Sequence, residues 1–143
     1  MGNFRIEEVV LVDDDAIVRM VITKILRSVD FGGTVTPFEN GRLAINAIQA
    51  RFASGEDVQS SARILLLLDI NMPVLDAWGF LDEFVLLNPE IRNRFLVAIV
   101  TSSIDTQDRV KASTYPDVLD YITKPLSGKY LTDFLTNHDL YGE

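Results

Sequence analysis

The chain has 143 residues, 21 acidic against 13 basic side chains, a net charge of -8 and no cysteine. That length suits one domain with its own core, and the missing cysteine excludes disulfides, thiolate metal sites and cysteine nucleophiles. The negative balance, with Lys and Arg scattered, opposes direct nucleic-acid or acidic-lipid binding.

Ile6 to Val12 predicts a strand that becomes wholly apolar before Asp13, as expected where helices cover both faces of a sheet. Asp15 caps a helix from Ala16 to about Val29, with Ile17, Met20, Val21, Ile25 and Leu26 at helical spacing. Gly32-Gly33 breaks the pattern. Thr34 to Phe38 is a second, short strand that Pro37 confines to an edge or a strand end. Asn40 caps a second helix carrying Leu43, Ala44, Ala47, Ile48 and Phe52 and ending near Gly55, and Glu56 to Ala62 reads as a surface loop.

Ile64 to Leu68 is apolar at every position and is the best candidate for a central strand; it ends in Asp69. This strongly apolar run is far short of the roughly 20 residues of a membrane span. Residues 1–6 lack the plan of a secretion signal. The expected location is therefore cytoplasmic, without membrane insertion. A turn through Met72-Pro73 leads to a third helix, Ala77 to Leu87, with Trp78, Leu81, Phe84 and Val85 on one stripe and Pro89 closing it. Phe95 to Val100 is the fourth strand, Thr106 to Ser113 a modest helix, Val118 to Ile122 the fifth strand and Gly128 to about Asn137 the last helix. Residues 137–143 read as a frayed tail more than as a linker cut in the middle, which favours a chain standing alone over a fragment.

Five strands alternating with five helices over short connections imply an α/β fold: a doubly wound, five-stranded parallel sheet in a single domain, residues 1–143. In such a sheet ligands bind outside the carboxyl ends of the strands. That edge collects Asp13 and Asp14 from the first strand, Asp69 from the third, Thr101 and Ser102 from the fourth and Lys124 from the fifth. Each has an ordinary reading, as a turn residue, a cap or a loop hydroxyl. Solubility alone would not concentrate them on one edge.

Three close carboxylates repel and need a cation. Oxygen ligands without cysteine or clustered histidine favour Mg²⁺, with Asp14 and Asp69 as direct ligands and Asp13 acting through water or by positioning Asp14. With Lys124 as a second positive centre the set suits phosphoryl transfer, in which Asp69 is the nucleophile and Thr101 a hydroxyl that senses the product. No nucleotide-binding glycine loop is present, and the lone His138 reads as structural or surface. The aromatic residues read as core, with Trp78 the least settled because its helix begins near the acidic edge.

Val10-Leu-Val-Asp-Asp-Asp15, Leu66-Leu-Leu-Asp-Ile-Asn-Met-Pro-Val-Leu-Asp76, Val100-Thr-Ser-Ser103 and Tyr121-Ile-Thr-Lys-Pro125 together resemble the receiver domain of bacterial two-component response regulators, single-domain chemotaxis regulators among them. The resemblance runs from about Val9 to Leu135. It implies a flavodoxin-like sheet in strand order 2-1-3-4-5, Asp69 as phosphoacceptor, Asp13 and Asp14 as the acidic pair holding Mg²⁺, and Asn71 as the residue offering a backbone carbonyl to the metal. It also implies Thr101 as switch hydroxyl, Lys124 as the phosphate-contacting lysine, a cis Lys124-Pro125 bond and Tyr121 as the aromatic that turns inward.

The implied partners are a sensor histidine kinase or histidine phosphotransfer protein as donor and a downstream effector protein. A homodimer through the fourth helix, fifth strand and fifth helix, about residues 106–137, is also implied. The implied chemistry is self-phosphorylation and slow autodephosphorylation rather than conventional turnover. Two departures stand out: Ala77 replaces a customary glycine and would strain a backbone of positive φ, and the loop at residues 56–62 is long. Two rivals share the fold or the chemistry. One is a phosphorylation-independent pseudo-receiver serving as a binding module, against which the retained Asp13, Asp14, Asp69, Thr101 and Lys124 argue. The other is an aspartyl phosphatase, which lacks its acid here because Asn71 stands two positions after Asp69.

Overall fold

A computed structural model of the protein describes residues 3–53 and 63–142. The strands are β1 (Asn3–Phe4), β2 (Ile6–Val12), β3 (Thr34–Phe38), β4 (Arg63–Leu68), β5 (Phe95–Thr101), β6 (Val118–Thr123) and β7 (Tyr141–Gly142). The helices are α1 (Ala16–Ser28), α2 (Gly41–Phe52), α3 (Ala77–Phe84), α4 (Pro89–Arg92), α5 (Thr106–Ser113) and α6 (Gly128–Asn137).

Five strands form a parallel sheet in the order β3-β2-β4-β5-β6, the expected 2-1-3-4-5 when the five are counted along the chain. Alternation along each strand feeds two cores, one per face. Val10, Val12, Leu66, Leu68, Val97 and Ile99 pack with α2 and α3. Val9, Leu11, Leu65, Leu67, Ala98 and Val100 pack with α1 and α6. The uniformly apolar β4 is central because both of its faces must be covered, and Pro37 lies on the edge strand β3.

The caps follow the sequence. Asp15 accepts from the N–H groups of Ile17 and Val18, Asn40 from Leu43, and Asp76 from Gly79. No helix among the described residues is long and apolar enough to cross a membrane. The expected loop at residues 56–62 and the end of the second helix near Gly55 lie outside the described residues.

Several expectations are corrected. In α1 only Ile22 and Leu26 are buried, whereas Ile17, Met20 and Val21 are exposed. The helix is apolar over more than one face, and the stripe that meets the sheet runs through Val18, Ile22, Ile25, Leu26 and Val29. In α2 Leu43 is exposed and Ile45 is buried in its place. The third helix stops at Phe84. Pro89 begins the short α4 instead of merely closing a helix, since its missing N–H costs nothing in a first turn, and Asn88 caps it by accepting from Glu90.

The carboxyl-terminal residues are not frayed: β7 pairs antiparallel with β1, with Phe4 opposite Tyr141 and their rings 4.7 Å apart. Buried Leu140 and its carbonyl, which accepts from Arg5 N–H at 2.8 Å, anchor this clasp. Finally, Ala77 does not have positive φ; it is a buried first residue of α3 whose N–H donates to the Ile70 carbonyl at 3.0 Å. Positive φ falls instead on Val74, at 70°.

Candidate functional site

Backbone hydrogen bonds across the sheet hold the strand exits in place. Asp13 N–H donates to Phe38 O at 3.1 Å, Asp69 N–H to Val12 O at 2.9 Å and Lys124 N–H to Thr101 O at 2.8 Å. The acidic and basic side chains at those positions are therefore set by strand register rather than by mobile loops.

Carboxylate oxygens of Asp13, Asp14 and Asp69 lie within 4.8 Å of one another. Asp13 and Asp69 are buried, while Asp14 faces solvent. Lys124 reaches in from the fifth exit of the sheet: its Nζ donates to Asp13 Oδ2 at 2.7 Å and to Asp69 Oδ2 at 3.4 Å. The other Asp69 oxygen, Oδ1, accepts from Ile70 N–H at 2.8 Å, and Asp13 Oδ1 accepts from Asp15 N–H at 2.9 Å. The Thr101 hydroxyl, at the neighbouring strand exit, favours the charged form of the Asp69 carboxylate. The Lys124-Pro125 bond is cis.

One ammonium faces three carboxylates, so the cluster is under-compensated. Burial pushes the Asp69 carboxyl above the ordinary carboxylate range and the Asp13 charge adds to the push, against the pull of Lys124, the Ile70 N–H and Thr101. Burial works against the Lys124 charge too, but its bond to Asp13 and the Asp69 and Asp13 charges outweigh it and hold the ammonium above its ordinary range. A hard divalent cation fits this donor set: the available atoms are carboxylate oxygens, they converge, and their excess charge is what such an ion neutralises.

Asp13, Asp14, Asp69, Thr101 and Lys124 are thus brought together as the sequence predicts. Asn71 is exposed in the turn after Asp69, and among the described residues no hydrogen bond joins its side chain to the cluster. Tyr121 is buried with its ring turned inward, and its hydroxyl donates to Ser103 O at 3.4 Å. His138 is structural: it caps α6, with Nε2 3.4 Å from Asp120 Oδ2. Trp78 is half-buried and stacks on Tyr115, their centroids 6.0 Å apart.

Sequence reading missed three features. The Arg19 guanidinium donates to the Asp13 carbonyl at 2.6 Å, and its spacing of six residues from Asp13 carries no recognisable signal. Arg109 lies over the Tyr121 ring, 4.5 Å from its centroid. Beside Lys124, the exposed Ile17 and Val21 line an apolar groove of about 180 Å³ with Val18, Ile22, Val100, Pro125 and Leu126. The helical periodicity of Ile17 and Val21 was visible, but it points equally to a core.

The family model for the response regulator receiver domain matches residues 9–136. The chain is 32% identical over 124 residues to a sensor histidine kinase, CheAY of Helicobacter pylori, covering 87% of this chain but only 14% of that much longer protein. Among solved structures, a two component response regulator from Cytophaga hutchinsonii is 30% identical and superposes with a TM-score of 0.78 over 93% of this chain and 96% of that one. The receiver domain of a sensor histidine kinase from Pseudomonas aeruginosa, solved with magnesium coordinated in its active-site cleft, shares the fold at 23% identity and a TM-score of 0.69, covering 92% of this chain and 96% of its own.

Proposed function

The chain belongs to the response regulator receiver domain family, and from that premise we propose that it is a phosphorylation switch whose acceptor is Asp69, fed by a phosphohistidine on a sensor kinase or phosphotransfer protein. The observation that carries the reading is the convergence of Asp13, Asp14, Asp69 and Lys124 at one sheet edge, with Thr101 at the neighbouring strand exit.

A carboxylate oxygen of Asp69 attacks phosphorus in line. A P–O bond forms as the P–N bond to the donor imidazole breaks, and the leaving imidazole keeps the electron pair and takes up a proton. The Ile70 N–H and Lys124 fix the acceptor carboxylate, and Lys124 then faces the incoming phosphoryl oxygens. Asp13, Asp14 and Asp69, with the Asn71 carbonyl, would hold Mg²⁺. The ion supplies neutralisation of the phosphoryl oxygens and of the carboxylates around them. The Thr101 hydroxyl, at the strand exit next to that of Asp69, is placed to follow the phosphoryl group, and Tyr121 transmits that movement to the surface of α5, β6 and α6.

Two apolar surfaces flank this chemistry. Ile17 and Val21 on α1 lie next to Lys124, with Met20 exposed on the same helix, and suit a helical donor that must bring its phosphohistidine over the acidic edge. Ile104, Val110 and Leu119 are exposed on the α5–β6 side, the surface assigned to an effector protein or a second copy of the chain. The same domain spans 14% of the Helicobacter kinase, so the output that this switch controls is set by what it is joined to or docks on.

Intact mass after incubation with a small phosphodonor and Mg²⁺ tests the reading. One added phosphoryl group is expected, lost in Asp69→Ala and on chelation of the metal. An unmodified wild-type protein, or modification that survives in Asp69→Ala, would overturn it.

A further inference from the structure

Thr101 and Tyr121 meet at one residue. Ser103 donates its N–H to Thr101 Oγ1 at 3.3 Å and accepts the Tyr121 hydroxyl on its carbonyl at 3.4 Å. The hydroxyl beside the acceptor and the inward-turned aromatic are therefore bonded to the two backbone groups of a single residue. Ser103 is itself tied to the next helix, because its hydroxyl donates to Asp108 Oδ2 at 2.6 Å. One residue further along α5, the Arg109 guanidinium covers the Tyr121 ring with Cζ 4.5 Å from the centroid.

The inward ring is held from both ends, by a long hydrogen bond at its hydroxyl and by a cation on its face. A cavity of about 200 Å³, lined by Ser103, Asp105, Thr106, Arg109, Tyr121 and Thr123 among others, lies beside it. The ring thus has room to leave, and neighbouring bulk alone does not confine it. Among the described residues Arg109 forms no ion pair with a carboxylate, so the aromatic face is its principal contact.

We propose that Arg109 is a positioning residue that latches Tyr121 inward before any phosphoryl group arrives, biasing this switch toward its phosphoryl-bound arrangement. The proposal rests on the phosphoacceptor reading above and adds to it a regulator of the switch equilibrium. A cation over an aromatic face at an exposed site contributes modestly. The bias is correspondingly small, and by linkage it appears as tighter binding of any ligand that favours the inward state.

Beryllium fluoride with saturating Mg²⁺, titrated into the full chain, serves as the phosphoryl probe. Arg109→Ala is expected to weaken its binding about two- to fivefold while leaving Mg²⁺ affinity unchanged. In a Tyr121→Ala background the same substitution is expected to have no effect, because the ring it acts on is gone. Equal affinities for wild type and Arg109→Ala, or the same weakening with and without Tyr121, would overturn the latch and leave the phosphoacceptor reading intact. A wild-type protein that binds Mg²⁺ but no beryllium fluoride would overturn that reading and the latch with it.

Discussion

The sheet buries carboxylates at two places and treats them in opposite ways. Glu8, on β2, is 7% exposed; its Oε1 accepts from Arg51 at 2.7 Å and its Oε2 from Thr36 at 2.8 Å. Asp69, at the exit of β4, is 9% exposed and has two other aspartates for neighbours and a single ammonium between them. One carboxylate is satisfied by what the fold provides; the other is left with charge that only an added cation can balance. A buried carboxylate paired in this way serves architecture, and one crowded by its own kind costs stability and stores affinity for something else.

The sharpest way to break the contrast is to neutralise each carboxylate with its amide. Glu8→Gln removes one charged partner of Arg51 and leaves the Thr36 hydroxyl facing an amide. Breaking a buried pair costs about 3–5 kcal/mol, but Arg51 is partly open to water, which lowers the expected loss to about 2 kcal/mol in chemical denaturation. Asp69→Asn should move stability the other way, by about 1 kcal/mol in metal-free buffer, because it removes repulsion. The folded-state pKa of Asp69 lies above its ordinary value. The folded chain thus holds more protons in the window between the two values, and metal-free stability falls as pH rises through it. Asp69→Asn should lack that slope. Mg²⁺ should stabilise the wild type and leave Asp69→Asn nearly unmoved. If both amide variants destabilise, the distinction between the two carboxylates is lost.

How far the sequence foretold these two places differs for the same physical reason. Asp69 was legible because it interrupts a continuous apolar strand, and strand exits in a doubly wound sheet converge by topology alone. The caps at Asp15 and Asn40 and the grouping of Asp13, Asp69, Thr101 and Lys124 follow from similarly local signals, whereas the strand order came only with the family resemblance. The partners of Glu8 lie 28 and 43 residues away, and nothing near Glu8 names them. The same holds for Arg109 over Tyr121 and for the clasp of Phe4 with Tyr141. In α1 the sequence was ambiguous: Ile17, Met20 and Val21 have the spacing of a core stripe, and only the placement of the helix shows that they face solvent.

A smaller effect separates backbone strain from charge at the same edge. The motif around residues 72–77 drew attention to Ala77 in place of a glycine, yet Ala77 fits its helix without strain. Three residues earlier, Val74 has φ of 70° in a three-residue turn closed by Leu75 N–H donating to Pro73 O at 2.8 Å. A β-branched side chain is poorly suited to that conformation, and this one is 79% exposed, so it gains little from burial. Val74→Gly removes a backbone cost of roughly 1–2 kcal/mol and gives back part of it as unfolded-chain entropy. The expected net gain is about 0.5–1 kcal/mol, read as a rise in thermal midpoint of about 2–3 °C. Unlike the gain from Asp69→Asn, this one should persist in saturating Mg²⁺, since no charge changes. Phosphorylation of Asp69 should also proceed to the same extent. A gain that vanishes with Mg²⁺ would mean that the turn and the acidic cluster adjust together, and that the strain at Val74 is released when the site is filled.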